Sequence, residues 1–525
     1  MDKQTDFWGA MLRAIGDAFG RHVDMQLQLV GATLSQAEIA RNYWNGVFKY
    51  LNEFMYPYWI AQDAFMNTEQ RKVRETPPLE TMRDYLELLQ FNLQIAEKGG
   101  IAAIRSMTDY HLNRMTQAFQ AFLTTAYQTG DRGIANVMSH EARLLERVVR
   151  GYAQAILDIE PEYGFHFERE GYRKAAETDR FLCYQVLPDE PGVEVNERGK
   201  PVLIVHPYVL GANILAFLPG EKKSYVHAFA NQGIPTYVRI IKNIDVTPAV
   251  QTMTGEDDAL DTRSFCETLK KRHGKPVTLN GFCQGGFIAA AIMLSGELDG
   301  LVDALITCVT PMDGTRSKAL VEYLEHLPPR FRDLGYAVKT LENGNRVVDG
   351  QVMSWVYKLK SMEKEAPLVS FYRDLLMFDR PDGQEVEITK TAAAINYWLI
   401  YDRNDLPESI TQMSFRSYTV PIDPNGTLPV KLFGRELNFK RLDDKGQKLL
   451  ICYAEKDDLV DKATALAPLD FVKAEVTAFP KGHGGIATSW SDPTTECALH
   501  KRFGKDGYRG PVRFHLDLDE GRPDR

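Results

Sequence analysis

Cysteine is scarce in this chain, and its six copies, at 183, 266, 283, 308, 452 and 497, form no CxxC pair and no metal-ligand spacing with histidine. That absence argues against a disulfide scaffold and against a structural zinc site. Basic residues are not in excess: 62 Lys+Arg stand against 71 Asp+Glu, for a net charge of −9. Such a surface has no general attraction for a phosphate backbone, so nucleic acid is not an expected partner. Long apolar runs are missing too. The stretch Phe287–Leu294 falls far short of the roughly 20 residues that a membrane-spanning helix needs. No apolar leader follows a basic start in Met1-Asp2-Lys3-Gln4-Thr5-Asp6, and a reduced cytoplasmic setting is expected. The chain also shows no internal repeat and no low-complexity block.

What is present is ordinary globular composition, 44% hydrophobic and 25% charged over 525 residues, long enough for two or three structural units. The first 165 residues read as helices. Apolar side chains recur at three- and four-residue steps in Phe7, Trp8, Met11, Leu12, Ile15 and Phe19, and again through Ile39–Phe65, Thr81–Ile95, Ile101–Tyr127 and Ala142–Leu157. Gly99-Gly100 and Thr129-Gly130 are expected to break helices.

Later the pattern changes to short β-branched and aromatic runs: Phe181–Leu187, Val202–His206, Thr236–Ile241, Val277–Asn280 and Val302–Thr310. Helical patterns at Ser224–Asn231 and Ala259–Arg272 lie between some of them, which points to a parallel sheet with helices on both faces. Two further strands are expected at Lys448–Tyr453 and Glu475–Phe479, with 313–438 as an inserted cap of mixed helix and loop. The core is thus split into 166–312 and 439–500. Residues 188–200 read as a polar turn of hairpin type, and 501–525 as a charged, solvated or loosely docked tail.

The sharpest local signal is Gly281-Phe-Cys283-Gln-Gly285-Gly286, entered by an apolar run and left by small helix-forming residues. A strand–turn–helix with this Gly-x-nucleophile-x-Gly spacing is the nucleophile elbow of the α/β-hydrolase fold, here with sulfur where a serine hydroxyl is usual. With six cysteines and average glycine usage the spacing arises by chance only roughly 3% of the time, and the correct flanks reduce that further. A buried structural cysteine is the competing account. A thiol nucleophile needs a base and a group to orient it. In this fold the acid and then the histidine follow the nucleophile. Both are found: Ala454-Glu-Lys-Asp457-Asp458-Leu-Val460 follows one strand, and Pro480-Lys-Gly482-His483-Gly484-Gly485 follows the next. His483 is the expected base. Glu455, Asp457, Asp458 and Asp461 share the acid loop. The oxyanion is expected to rest on the backbone N–H of Gln284 and on one from the Tyr208–Val209 region, Val209 being preferred. His206, Tyr208 and Asp458 are candidates to line the substrate site.

These segments resemble the polyhydroxyalkanoate synthases, which polymerise 3-hydroxyacyl-CoA thioesters, over roughly residues 180–490. The likeness rests on Pro201-Val-Leu-Ile-Val-His-Pro-Tyr-Val209, on Gly281-Phe-Cys-Gln-Gly-Gly286 as a modified lipase box, and on Val348–Met353 and Tyr401-Asp-Arg-Asn-Asp-Leu-Pro407 as cap segments. The acid and histidine loops complete it, and on this match Asp457 falls on the family's catalytic aspartate. The sequence departs from the family at Asp458, where histidine is usual, at His206–Gly211, where Pro-Pro-Trp-Ile-Asn-Lys is common, and at Gln284. The resemblance implies an acyltransferase that forms a Cys283 thioester and releases coenzyme A. It needs no cofactor beyond the coenzyme A thioester that is its substrate. The helical region would be similar to the family's N-terminal domain, linked with homodimer formation and attachment to a polyester granule surface. Two rivals use the same residues differently: an acyl-CoA thioesterase or intracellular polyester depolymerase with water as acceptor, and an inactive granule-associated scaffold.

Overall fold

The computed structural model describes residues 35–51, 77–127, 134–318, 337–353, 366–379 and 387–518 without a break, together with scattered positions within 13–33 and 321–334. The chain falls into two compact units. One comprises Met1–Trp59, Asn92–Asp158 and Ser361–Ala393, and the other Ile60–Phe91, Ile159–Lys360 and Ala394–Arg525.

Helix α1 (Pro78–Tyr127) runs straight through Gly99-Gly100, so the break expected there does not occur. Two glycines in a helix interior cost about 1 kcal/mol each relative to alanine, which the long flanking helical runs offset. Thr129-Gly130 and the end of the Ile39–Phe65 pattern lie outside the described residues. Within the helical unit, α2 (Ile134–Glu146) buries Leu144 and Leu145 and passes into a π-helical turn, Arg147–Tyr152. Arg114 bridges Glu141 at 2.8 Å and Asp379 at 3.0 Å, and Asp379 also meets His140 at 2.9 Å. Thus Asp379, from the stretch read as cap, is tied into the helical unit.

The second unit is built on eight strands: β1 (Tyr172–Glu177), β2 (Phe181–Val186), β3 (Val202–Val205), β4 (Thr236–Ile241), β5 (Val277–Phe282), β6 (Val302–Cys308), β7 (Lys448–Ala454) and β8 (Glu475–Phe479). Their order across the sheet is β1-β2-β4-β3-β5-β6-β7-β8. β2 pairs antiparallel with both β1 and β4, and every pairing from β4 to β8 is parallel. This order, with one antiparallel strand near the edge and a nucleophile turn after β5, is the α/β-hydrolase fold. The sheet centre is dry: every residue of β3 and β5 is buried. Parallel strands covered on both faces read as continuous apolar runs, which is why β3–β8 stand out in the sequence. β1 does not, because Tyr172-Arg-Lys-Ala-Ala-Glu177 is an edge strand with a polar face.

Three expectations change. Residues 188–200 form no hairpin; they carry the chain from β2 past β4 to β3, so the antiparallel partners of β2 lie elsewhere. The insertion 313–438 holds strands as well as helices, including the hairpin Thr427–Leu432 and Arg435–Asn438. The tail is docked through residue 518. Val512, Phe514 and Leu516 are buried, the His515 carbonyl accepts from Thr278 Oγ1 at 2.8 Å, and Asp517 pairs with Lys275 at 2.5 Å. Alternating apolar residues within the charged tail supply this anchor. No helix among the described residues is long and apolar enough to cross a membrane.

One charged cluster is buried within the core. Arg239 on β4 and Asp258 on α3 (Gly255–His273) form an ion pair with no exposed side-chain surface on either partner. Tyr208 joins them, donating to Asp258 at 2.5 Å and accepting from Arg239 at 2.7 Å. Removing one member of a buried pair leaves the other charge uncompensated, which costs about 3–5 kcal/mol. Arg239→Met is therefore expected to lower unfolding stability by about that amount, read from the denaturant midpoint at unchanged slope. A loss below about 1 kcal/mol would mean that the pair is solvated in solution.

Candidate active site

Cys283 sits between β5 and helix α4 (Gln284–Ser295), with φ 50° and ψ −123°. Few non-glycine residues adopt such angles, and holding one there costs on the order of 1–3 kcal/mol. The neighbouring glycines make the bend possible. A Cβ at Gly281 would lie 2.3 Å from the Gly286 Cα, and one at Gly285 would lie 2.4 Å from the Val205 carbonyl oxygen. The strand and helix therefore meet at backbone contact, and the Cys283 N–H is fixed to the Cys308 carbonyl at 2.8 Å. Cys283 itself is 4% exposed.

The loops after β7 and β8 are laced together: Glu455 N–H donates to the Phe479 carbonyl at 2.8 Å, and Lys456 N–H to that of Lys481 at 3.0 Å. This brings Asp457 to His483. The carboxylate Oδ2 meets His483 Nδ1 at 2.7 Å, while Oδ1 accepts the N–H groups of Leu459 and Val460, each at 2.9 Å. Of the four acids on this loop, Asp457 is the one turned inward. Glu455 and Asp458 are exposed, and Asp461 caps the short helix after it by accepting from Thr464. Burial favours the protonated Asp457, yet the His483 charge and the two N–H donors outweigh it and hold its carboxyl below the usual range. Burial likewise opposes a charged His483. The carboxylate of Asp457 and then the sulfur of Cys283 overcome it and raise the imidazole well above 6.5. His483 Nε2 has no hydrogen-bond partner among the described residues. Asp457 and His483 thus form a charge-coupled pair, with the Cys283 sulfur acting on the imidazole.

The remaining candidates are placed differently. His206 is 1% exposed, with Nδ1 donating to the Pro207 carbonyl at 3.0 Å and Nε2 accepting from Ile241 N–H at 3.4 Å. Burial pushes it down to about 4, so it is a neutral packing residue and does not line the site. Tyr208 is spent on the Arg239–Asp258 cluster and also faces inward. Gln284 opens α4, so its N–H has no intrahelical acceptor. The Val209 N–H, expected to serve the oxyanion, donates instead to the Gln284 side-chain oxygen at 3.0 Å, and the Tyr208 N–H reaches the same oxygen at 3.2 Å. Sequence reasoning missed this role for the Gln284 carboxamide; the only signal was an unusual residue after the nucleophile. Trp398 on α5 (Lys390–Tyr401) steadies the loop by donating to the Leu210 carbonyl at 2.9 Å. No cluster of three or more metal-ligating side chains occurs among the described residues.

No family model and no curated protein matches the chain. Among solved structures, it is similar to a carboxylesterase of the thaumarchaeon Nitrososphaera gargenis, at 14% identity over 60% of this chain and 92% of that one, with a TM-score of 0.35. An esterase domain from Rhodothermus marinus gives 15% identity, 63% and 92% coverage and a TM-score of 0.30. A putative lipase of Acinetobacter baumannii gives 12%, 64%, 91% and 0.28. The fold assignment rests on the strand order above.

Two measurements probe the coupling. In Asp457→Asn the carboxylate that upholds the imidazolium is gone while the burial remains, so His483 must titrate at lower pH than in the wild type. Alkylation of Cys283 by iodoacetamide at neutral pH should then fall severalfold, because the neighbouring positive charge is lost; an unchanged pH profile would refute the coupling. The raised His483 value also stabilises the fold fully below 6.5, its ordinary value, and this contribution disappears as pH rises through the elevated folded value. The stability of the wild type should accordingly decline relative to His483→Gln from slightly acidic to alkaline buffer.

Proposed function

We propose that the protein is an acyltransferase similar to the polyhydroxyalkanoate synthases, building polyester from (R)-3-hydroxyacyl-CoA through a thioester on Cys283. The observation that carries this reading is a cysteine at a strained strand–helix bend, coupled to the His483–Asp457 pair. The motif likeness at Gly281–Gly286, Asp457 and His483 supplies the substrate class.

His483 Nε2 takes the thiol proton of Cys283 as the sulfur attacks the acyl-CoA carbonyl, the carbon–sulfur bond to coenzyme A breaks, and the departing thiolate takes that proton from Nε2. Exchange of one thioester for another is nearly balanced in energy, so a thiol nucleophile loses little driving force. The hydroxyl of a second 3-hydroxyacyl group then gives its proton to His483 while its oxygen attacks the acyl carbon. An ester forms, and the Cys283 sulfur leaves and takes that proton back from His483. Asp457 remains a carboxylate throughout, orienting Nδ1–H and balancing the imidazolium. Transfer to a hydroxyl in place of water requires a dry site, and the 4% exposure of Cys283 is consistent with that demand.

Incubation with 3-hydroxybutyryl-CoA should release free thiol together with rising turbidity from insoluble polyester, and Cys283→Ala should reduce thiol release by at least about 1,000-fold. Thiol release with soluble free acid as the sole product would instead identify a thioesterase. Undiminished release by Cys283→Ala would remove the mechanism altogether.

A further inference from the structure

Gln284 is 4% exposed, and its side-chain oxygen is fixed by two consecutive backbone N–H groups, at 3.2 Å from Tyr208 and 3.0 Å from Val209. Only an oxygen can accept both, so the orientation of the amide is determined by its partners. The Nε2 amino group, on the other arm of the same trigonal carbon, makes no bond to those two N–H groups. It has no hydrogen-bond partner among the described residues, nor is it one of the sealed polar atoms left unsatisfied. That atom therefore keeps some solvent contact, so its N–H donors are open to an incoming acceptor oxygen. Gln284 directly follows the nucleophile, and the loop N–H that would ordinarily complete an oxyanion hole is already engaged by its oxygen.

We propose that Gln284 is itself a catalytic residue: its side-chain Nε2–H donates to the carbonyl oxygen of the acyl group on Cys283. Together with its own backbone N–H it forms the oxyanion hole. The Tyr208 and Val209 N–H groups act at one remove, bracing the carboxamide and polarising its N–H through the shared amide. The buried Tyr208–Asp258–Arg239 cluster fixes the loop that carries them. Two other uses of the same contact make opposite demands. A simple brace for the loop needs only the acceptor oxygen, and a plug that keeps the hole closed would be harmful to catalysis.

The inference rests on acyl transfer at Cys283, so acylation is measured directly. Rapid-quench intact-mass analysis follows the Cys283 adduct formed from 3-hydroxybutyryl-CoA and from p-nitrophenyl butyrate. Gln284→Glu keeps the acceptor and the size but loses the donor, and Gln284→Leu loses both. Each should acylate about 100-fold more slowly than the wild type, while alkylation of Cys283 by iodoacetamide, which forms no oxyanion, changes by no more than about threefold. A Gln284→Glu protein that acylates at the wild-type rate overturns the proposal in favour of a brace. A Gln284→Leu protein that acylates faster overturns it in favour of a plug. A wild type that acylates with neither substrate removes the acyl-transfer reading and this inference with it.

Discussion

A buried imidazole pushed toward its charged form by a carboxylate is the constraint around which this unit is organised. Burial alone would discharge His483. The carboxylate of Asp457 reverses the balance, but it is itself buried and must be kept ionised. Two backbone N–H groups do that from its far oxygen. The chain of dependence therefore runs from the turn Asp457–Val460, through one carboxylate and one imidazole, to the sulfur. Every member lies in a loop at the carboxyl ends of the parallel strands β5, β7 and β8, where the sheet brings distant sequence positions together.

The fold was legible where physical constraints act on single segments. Buried parallel strands must be apolar throughout, so β3 to β8 appear as apolar runs. The elbow must have glycine at 281 and 285 because other residues collide with backbone. The His483 and Asp457 loops follow from chain order in that fold. What could not be read is what depends on contacts between segments. The edge strand β1 has no apolar signature, since one of its faces is wet. The docking of the tail depends on Thr278, Thr477 and Lys275, far earlier in the chain. Gly99-Gly100 reads as a break from local propensity alone, whereas a 50-residue helix carries it.

The polar residues around the site show the same division. His206 and Tyr208 sit on the oxyanion loop and invite a substrate role from position alone, yet both are consumed by neighbours. His206 is closed off by the Pro207 carbonyl and the Ile241 N–H. Tyr208 belongs to a cluster whose other members, Arg239 and Asp258, come from a different strand and a helix. No local pattern announces such a cluster, because an arginine in a strand and an aspartate in a helix are each ordinary surface residues until the fold buries them. Its effect on the site is mechanical: a loop anchored by a buried ion pair cannot easily shift its N–H groups.

That rigidity bears on why sulfur and a carboxamide occur side by side. An oxyanion hole contributes by being in place before charge develops, and donors that must move lose most of the advantage. A backbone N–H is rigid by construction; a glutamine side chain has three rotatable bonds and is not. It becomes equivalent to backbone only when its oxygen is held from outside, and two N–H groups on one anchored loop provide such a hold. Cysteine relaxes a further demand. A thiol is more acidic than a serine hydroxyl, so less of the barrier to acyl transfer falls on proton removal and more on stabilising the tetrahedral oxygen. On the acyl-transfer reading proposed above, the residue immediately after the nucleophile has the most leverage over rate, and the loop that restrains it is the structural element on which that leverage depends.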